Sequence, residues 1–147
     1  MLFRSANQKG PRIQAALHHV KTEQGDISLD FLAERPLDEA KAWLTNIKGV
    51  GPKTAAIILL FAFGRPAFPV DTHVHRVTRR LGLIGPKVTA DKAHPILENI
   101  GSPDTFYPLH LNLIRHGREV CLARKPKCEV CPLRSYCDYY QADRQFS

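Results

Sequence analysis

Four cysteines crowd the last 27 residues, as Cys121, Cys128, Cys131 and Cys137, in the spacing C-x6-C-x2-C-x5-C. Where thiols are kept reduced, cysteines clustered in this way bind metal more readily than they form disulfides. Four thiolates suit either a structural zinc ion or a [4Fe-4S] cluster, and spacing alone does not separate the two. Zinc ribbons usually carry two C-x2-C knuckles, whereas this segment has one. So short a segment, poor in apolar side chains, cannot fold by burial, and ligation would supply its order. Between the first two cysteines lie Arg124, Lys125 and Lys127, cations that a loop pinned at both ends would hold ready for phosphate.

A second group of residues with chemical potential lies earlier in the chain. Ile47-Lys48-Gly49-Val50-Gly51 places two glycines around one apolar residue, so the backbone can take positive φ and approach a ligand that a side chain on either glycine would block. Pro52 then opens a helix expected to run to Phe63 and stop at Gly64. The amides of the turn thereby sit at a helix N-terminus, which is a natural place for phosphate. Lys53 falls in the first turn of that helix, where the dipole, neighbouring Lys48 and the apolar residues that follow all favour the nucleophilic free amine. Asp71 begins the next helix, where the dipole favours its carboxylate. Taken singly, a first-turn lysine is usually solvated surface and a helix-start aspartate is usually only a cap.

Together these residues resemble a known pattern. Gly49-Val50-Gly51-Pro52-Lys53-Thr54-Ala55, followed by Val70-Asp71-Thr72-His73, is similar to the helix-hairpin-helix and following aspartate of the endonuclease III family of DNA glycosylases. The lysine and aspartate stand eighteen positions apart, as in that family. The cysteine spacing resembles the family's iron–sulfur loop, and His116-Gly117-Arg118 fits its H-G-R, so the resemblance favours [4Fe-4S] over zinc. It implies DNA-backbone binding by Lys48, Gly49, Val50 and Gly51, a nucleophilic Lys53, and an assisting Asp71. The implied chemistry is removal of a damaged base, oxidised pyrimidine by the family's default, through a lysine imine and β-elimination. A target base would leave the helix stack and enter a cleft. The partner would be double-stranded DNA containing damaged bases or abasic sites. The alternative is a helix-hairpin-helix module that binds DNA without catalysis.

The remaining elements must position these groups. Net charge of +7 and a sequence pI near 9.5 favour a polyanionic partner. No stretch of about 18 apolar residues suggests a membrane span, and Met1 to Gly10 has no signal-peptide core, so an intracellular, cytoplasmic and nucleoid-associated protein is expected. The patterns predict an all-α chain. An amphipathic helix from Pro11 to about Gln24 would bury Ile13, Leu17 and Val20 and stop at Gly25, with His18 and His19 on the surface. Ser28 would cap a short helix through Phe31 and Leu32, and Pro36 would open a helix burying Leu37, Ala40, Leu44 and Ile47. Ala55 to Phe63 is apolar all round, which predicts a central helix. Arg76, Arg79 and Arg80 would form a basic side of a helix from Asp71 to Leu81, and Thr89 would cap the next. A last long helix, Thr105 to Val120, would bury Phe106, Leu109, Leu113 and Ile114.

Gly64 to Pro69 reads as a linker, which divides the chain into 1–69, with the hairpin at about 36–63, and 70–147, with the cysteine loop at 121–137. The resemblance implies a helix-hairpin-helix DNA glycosylase fold, a partial six-helix barrel plus an iron–sulfur cluster domain. It covers about Ser5 to Tyr140 and lacks the family's N-terminal helices. A truncated gene product, a compact variant, and a chain completed by a complementary chain or by self-association all remain open.

Overall fold

A computed structural model describes residues 6–144, and every regular element among them is helical. The outermost residues of both expected domains lie outside the described residues. The chain divides into two compact units, Met1–Arg65 and Pro66–Ser147. That division falls inside the expected linker, four residues ahead of the 69/70 boundary read from the sequence.

In the first unit, α1 (Ala6–Gln24) begins before Pro11 rather than after it. Proline's fixed φ is already helical, so the helix passes through at the loss of one hydrogen bond. Of its expected apolar stripe only Val20 is buried, while Ile13 and Leu17 are 59% and 44% exposed. Gly25, at φ +80°, ends the helix by donating to Lys21 O at 2.9 Å. The Ser28 hydroxyl accepts from Asp30 N at 3.1 Å and starts the single turn Asp30–Ala33, which buries Leu32. Trp43 gathers these pieces, with its ring 4.8 Å from Phe31 and 5.8 Å from a half-buried His19.

Helix α2 (Leu37–Asn46) buries Ala40 and Leu44, and Ile47 follows them into the core, while Leu37 is half-buried. After the hairpin turn, α3 (Pro52–Ile57) widens into a π-helical turn over Ile58–Ala62. Ala55, Ala56, Leu59 and Leu60 are buried there, but Phe61 is 44% exposed and Ala62 faces solvent. The expectation of a helix buried on all sides is therefore corrected: the wider turn swings its last residues outward. Gly64, at φ +61°, stops it as expected. Arg65 seals the end, donating through its backbone to Leu59 O at 2.8 Å and through its guanidinium to Leu32 O at 2.7 Å and to Arg35 O.

In the second unit, α4 (Thr72–Arg80) packs against α5 (Ala90–Ile100), α6 (Phe106–Glu119) and α7 (Asp138–Arg144). Gly82, at φ +81°, follows α4 and ends it. Thr89 caps α5 by accepting from Lys92 N at 3.4 Å. On α6 the buried positions are Phe106, His110, Leu113 and Gly117. Leu109, expected inside, is 38% exposed, and Ile114 is half-buried, because His110 takes the core position. Gly117 lets α4 and α6 touch: a Cβ there would lie 2.9 Å from His73 Cβ. Among the described residues no helix is long and apolar enough to cross a membrane.

Candidate functional site

Hairpin geometry follows from one glycine rather than two. Gly49 has φ +94°, a conformation that favours glycine, and the turn closes where Val50 N donates to Ile47 O at 2.9 Å. Gly51 is extended, at φ −97° and ψ 179°, and no atom lies within 4 Å of a Cβ built on it. Conformation therefore demands glycine at Gly49 only, contrary to the expectation for both. Lys48 and Gly49 are exposed, while Val50 and Gly51 are half-buried. Gly51 also precedes α3 as its N-cap and makes no side-chain cap, so the turn presents backbone at a helix N-terminus. Lys53, in the first turn of α3, is exposed rather than set against the core.

Asp71 belongs to the second unit and caps α4. One carboxylate oxygen, Oδ1, accepts from both His73 N at 2.9 Å and Val74 N at 2.8 Å. Oδ2 takes no part in the cap. The side chain is half-buried, so it holds a fixed position and still reaches solvent. His73 and His75 serve structure here: His73 Nδ1 meets Arg76 Nη2 at 3.1 Å, and His75 Nε2 meets Val88 O at 2.7 Å.

The four cysteines line one cavity in the second unit, with Val77, Leu81 and Val120 among its apolar walls. All four are half-buried free thiols. Burial pushes the Cys128 thiol up, as do the neighbouring Cys137, Cys121 and Cys131, while Arg80 opposes the shift. The four thiols are thus gathered around one space. A cubane, which offers one iron to each of four thiolates, suits this arrangement.

Two arginines that had read as the basic side of α4 turn out to secure the cysteine loop. Arg76 donates to Gly117 O at 2.8 Å and to Cys121 O at 3.1 Å. Arg80 donates to Cys121 Sγ at 3.2 Å, Leu122 O at 2.7 Å and Ala123 O at 3.2 Å, and lies 4.7 Å from the Tyr139 ring centroid. In return, Cys137 Sγ lies 3.3 Å from Arg80 O. His116, pushed below its ordinary range by burial, places Nε2 3.6 Å from Cys131 Sγ. Only the four-residue spacing of Arg76 and Arg80 hints at this in sequence, and any solvated helix face could show the same. Arg79 is exposed, as are Arg124, Lys125 and Lys127 on the loop between Cys121 and Cys128.

The pattern of the iron–sulfur binding domain of endonuclease III matches residues 121–137, beginning and ending on cysteines. Over 112 residues the chain is 39% identical to Endonuclease III of Sulfolobus acidocaldarius, covering 76% of this chain and 50% of that one. The chain belongs to the endonuclease III family. A solved structure described as a trapped Endonuclease III–DNA covalent intermediate superposes with a TM-score of 0.74 at 32% identity, over 92% of this chain and 60% of that one. DEMETER-like protein 2 of Arabidopsis thaliana is 32% identical over 94% of this chain, though over only 12% of its own length. The chain thus spans about half the length of the endonuclease III relatives it matches. Its fold is the all-α helix-hairpin-helix glycosylase fold, and its cofactor is a [4Fe-4S] cluster.

Proposed function

We propose that this chain acts in base excision repair as a DNA glycosylase with lyase activity at abasic sites, on double-stranded DNA carrying damaged bases. Oxidised pyrimidines are the proposed substrate class. Lys53 Nζ attacks the sugar C1′, and the bond from C1′ to the base breaks, with the base leaving by taking up a proton. The resulting imine acidifies the C2′ hydrogen, whose removal expels the 3′ phosphate. Asp71 stabilises the positive charge that develops at the sugar and helps free the amine. Its geometry suits this role, because capping occupies one carboxylate oxygen and leaves the second uncommitted.

The proposed DNA contacts are the hairpin residues Lys48, Gly49, Val50 and Gly51, together with Arg124, Lys125 and Lys127. The proposed cluster ligands are Cys121, Cys128, Cys131 and Cys137. Bound there, the cluster orders the surrounding segment, and these residues position the loop cations.

The observation that carries this proposal is the likeness to a structure described as a trapped covalent protein–DNA intermediate. Such an intermediate needs a protein nucleophile, and Lys53 is an exposed amine two residues past Gly51 of the hairpin turn. A second reading, DNA binding without catalysis, draws support from the half-length match to the relatives.

Borohydride separates the two. It should reduce the imine formed with an abasic duplex to a stable covalent adduct, which Lys53→Gln abolishes while DNA affinity stays within about twofold. Asp71→Asn should slow trapping without preventing binding. A lysine variant that traps as well as its parent would leave the binding module as the surviving reading.

A further inference from the structure

The residues just ahead of Asp71 form no regular structure and yet are buried. Ala67, Phe68, Pro69 and Val70 are each 2% exposed or less. Buried backbone outside a helix or sheet must find its hydrogen bonds among side chains or ordered water. Three side chains meet that need here. Glu98, on α5, accepts from Phe68 N through Oε1 at 2.9 Å. His94, also on α5, places Nδ1 2.8 Å from Phe68 O, and His110, on α6, places Nδ1 3.0 Å from Pro69 O. A carbonyl can only accept, so each imidazole donates from Nδ1.

The grip is stiff. His94 and His110 are 7% and 3% exposed, and neither ring can turn without breaking core packing. The Phe68 ring stands edge-on to Phe106 at 5.2 Å and to His110 at 6.2 Å. Proline at positions 66 and 69 restricts φ at two points of the same short path. Two residues after the Pro69 carbonyl comes Asp71, whose backbone enters α4.

We propose that His94 and His110 are positioning residues for the Asp71 carboxylate, holding the Phe68 and Pro69 carbonyls so that the chain enters α4 at one fixed place. This rests on the role proposed for Asp71. Displacing a reacting group by about 1 Å can cost up to about a hundredfold in rate, which is why such a carboxylate needs a rigid approach and not only a cap. Histidine suits the task because its donor sits close to the backbone on a planar ring.

The test uses His110→Leu and His94→Leu beside His110→Asn and His94→Asn, since the asparagine amide nitrogen falls near the place of Nδ1. Circular dichroism and cluster absorbance report whether each variant is folded. Amide exchange at His73 and Val74, the two donors to Asp71 Oδ1, reports the cap, and borohydride trapping at saturating abasic duplex reports the chemistry. Each leucine variant should speed cap exchange by about tenfold and slow trapping by about tenfold, with duplex affinity within about twofold of the parent. The asparagine variants should recover both to within about threefold.

Where a leucine variant does not fold, glutamine takes its place, because its longer side chain moves the amide past the carbonyl, and the same two losses are expected. Folded leucine or glutamine variants with the parent's cap exchange and trapping rate would overturn the proposal. So would asparagine variants that lose as much as leucine. If Asp71→Asn leaves trapping unchanged, the role of Asp71 fails instead, and cap exchange alone then decides whether the histidines hold the approach.

Discussion

Both units bury an apolar core, but the second leans far more on polar side chains to hold irregular backbone. In the first, small and branched apolar side chains do most of the work: Ala40, Leu44, Ala55, Ala56 and Leu59 are all but fully buried. In the second, irregular backbone is held by polar side chains reaching from helices, namely Arg76 and Arg80 to the cysteine loop and Glu98, His94 and His110 to residues 67–70. Apolar burial is diffuse and forgives local change, whereas a segment held by a few directed bonds and a metal group depends on each of them. The second unit should therefore be the one with single points of failure.

Removing the cluster should break the comparison open most widely. Protein prepared without oxygen should be yellow-brown, with broad absorbance near ~400 nm and about four irons per chain. Cys128→Ser should abolish both and strip amide protection from residues 121–142, because none of these residues is buried and the segment has little source of order besides ligation. Protection in α2 and α3 should change by less than about twofold, since they owe nothing to ligation. Hydrogen exchange followed by mass spectrometry reads both halves in one experiment. Stoichiometric zinc without iron, or a tail that stays protected in the serine variant, would contradict this account.

What the sequence displayed, and what it hid, follows the same division. Asp71 could be recognised as a cap because aspartate ahead of a helix has a local job, and Gly25, Gly64 and Gly82 marked stops because positive φ is a local demand. The cysteines announced themselves by type and spacing. Hidden were the features whose cause lies elsewhere in the fold. Leu109 looks like the core residue of its helical turn, yet His110 is buried there, because Pro69 O supplies the partner that makes a buried imidazole tolerable. The π-helical turn at Ile58–Ala62 is likewise invisible in apolar periodicity, since Arg65 reaching back to Leu59, Leu32 and Arg35 closes the end of that helix. Arg76 and Arg80 read only as the basic side of a helix because the backbone carbonyls they reach lie about 40 residues away.

A smaller test compares glycines in the two units. At Gly49 an added Cβ meets only the Arg12 side chain, at 3.7 Å, so Gly49→Ala should cost no more than the strain of positive φ, about 1–2 kcal/mol. At Gly117 the conformation is helical and the obstacle is packing, with His73 Cβ at 2.9 Å and Arg76 Nη2 at 3.3 Å from the new methyl. Gly117→Ala should therefore cost about 1–3 kcal/mol and also loosen the Arg76 bonds to Gly117 O and Cys121 O. Its mark would be bleaching of the cluster at lower denaturant than in Gly49→Ala, even where the two melt alike. Equal cluster retention would mean that α4 and α6 part without disturbing the loop.

The least drastic change leaves both units folded and asks only which surface meets DNA. Arg124, Lys125 and Lys127 are exposed on a loop whose backbone is tied down, with Leu122 N and Lys127 N both donating to Val120 O, at 2.9 and 3.0 Å. Lys125 sits at φ +49°, a conformation uncommon for a residue with a side chain, which fits a loop shaped by its closure rather than by local preference. Cations presented in this way release counterions when they meet phosphate and carry no base information. Neutralising Arg124 and Lys127 together, each to Gln, should lower the slope of log affinity against log salt by about two, and weaken binding to damaged and undamaged duplexes alike. Lys48→Gln, on the hairpin, should lower it by about one. A parental slope in the double variant with a reduced one in Lys48→Gln would assign DNA contact to the first unit alone, and the loop cations would then be a solvated face that the cluster merely happens to order.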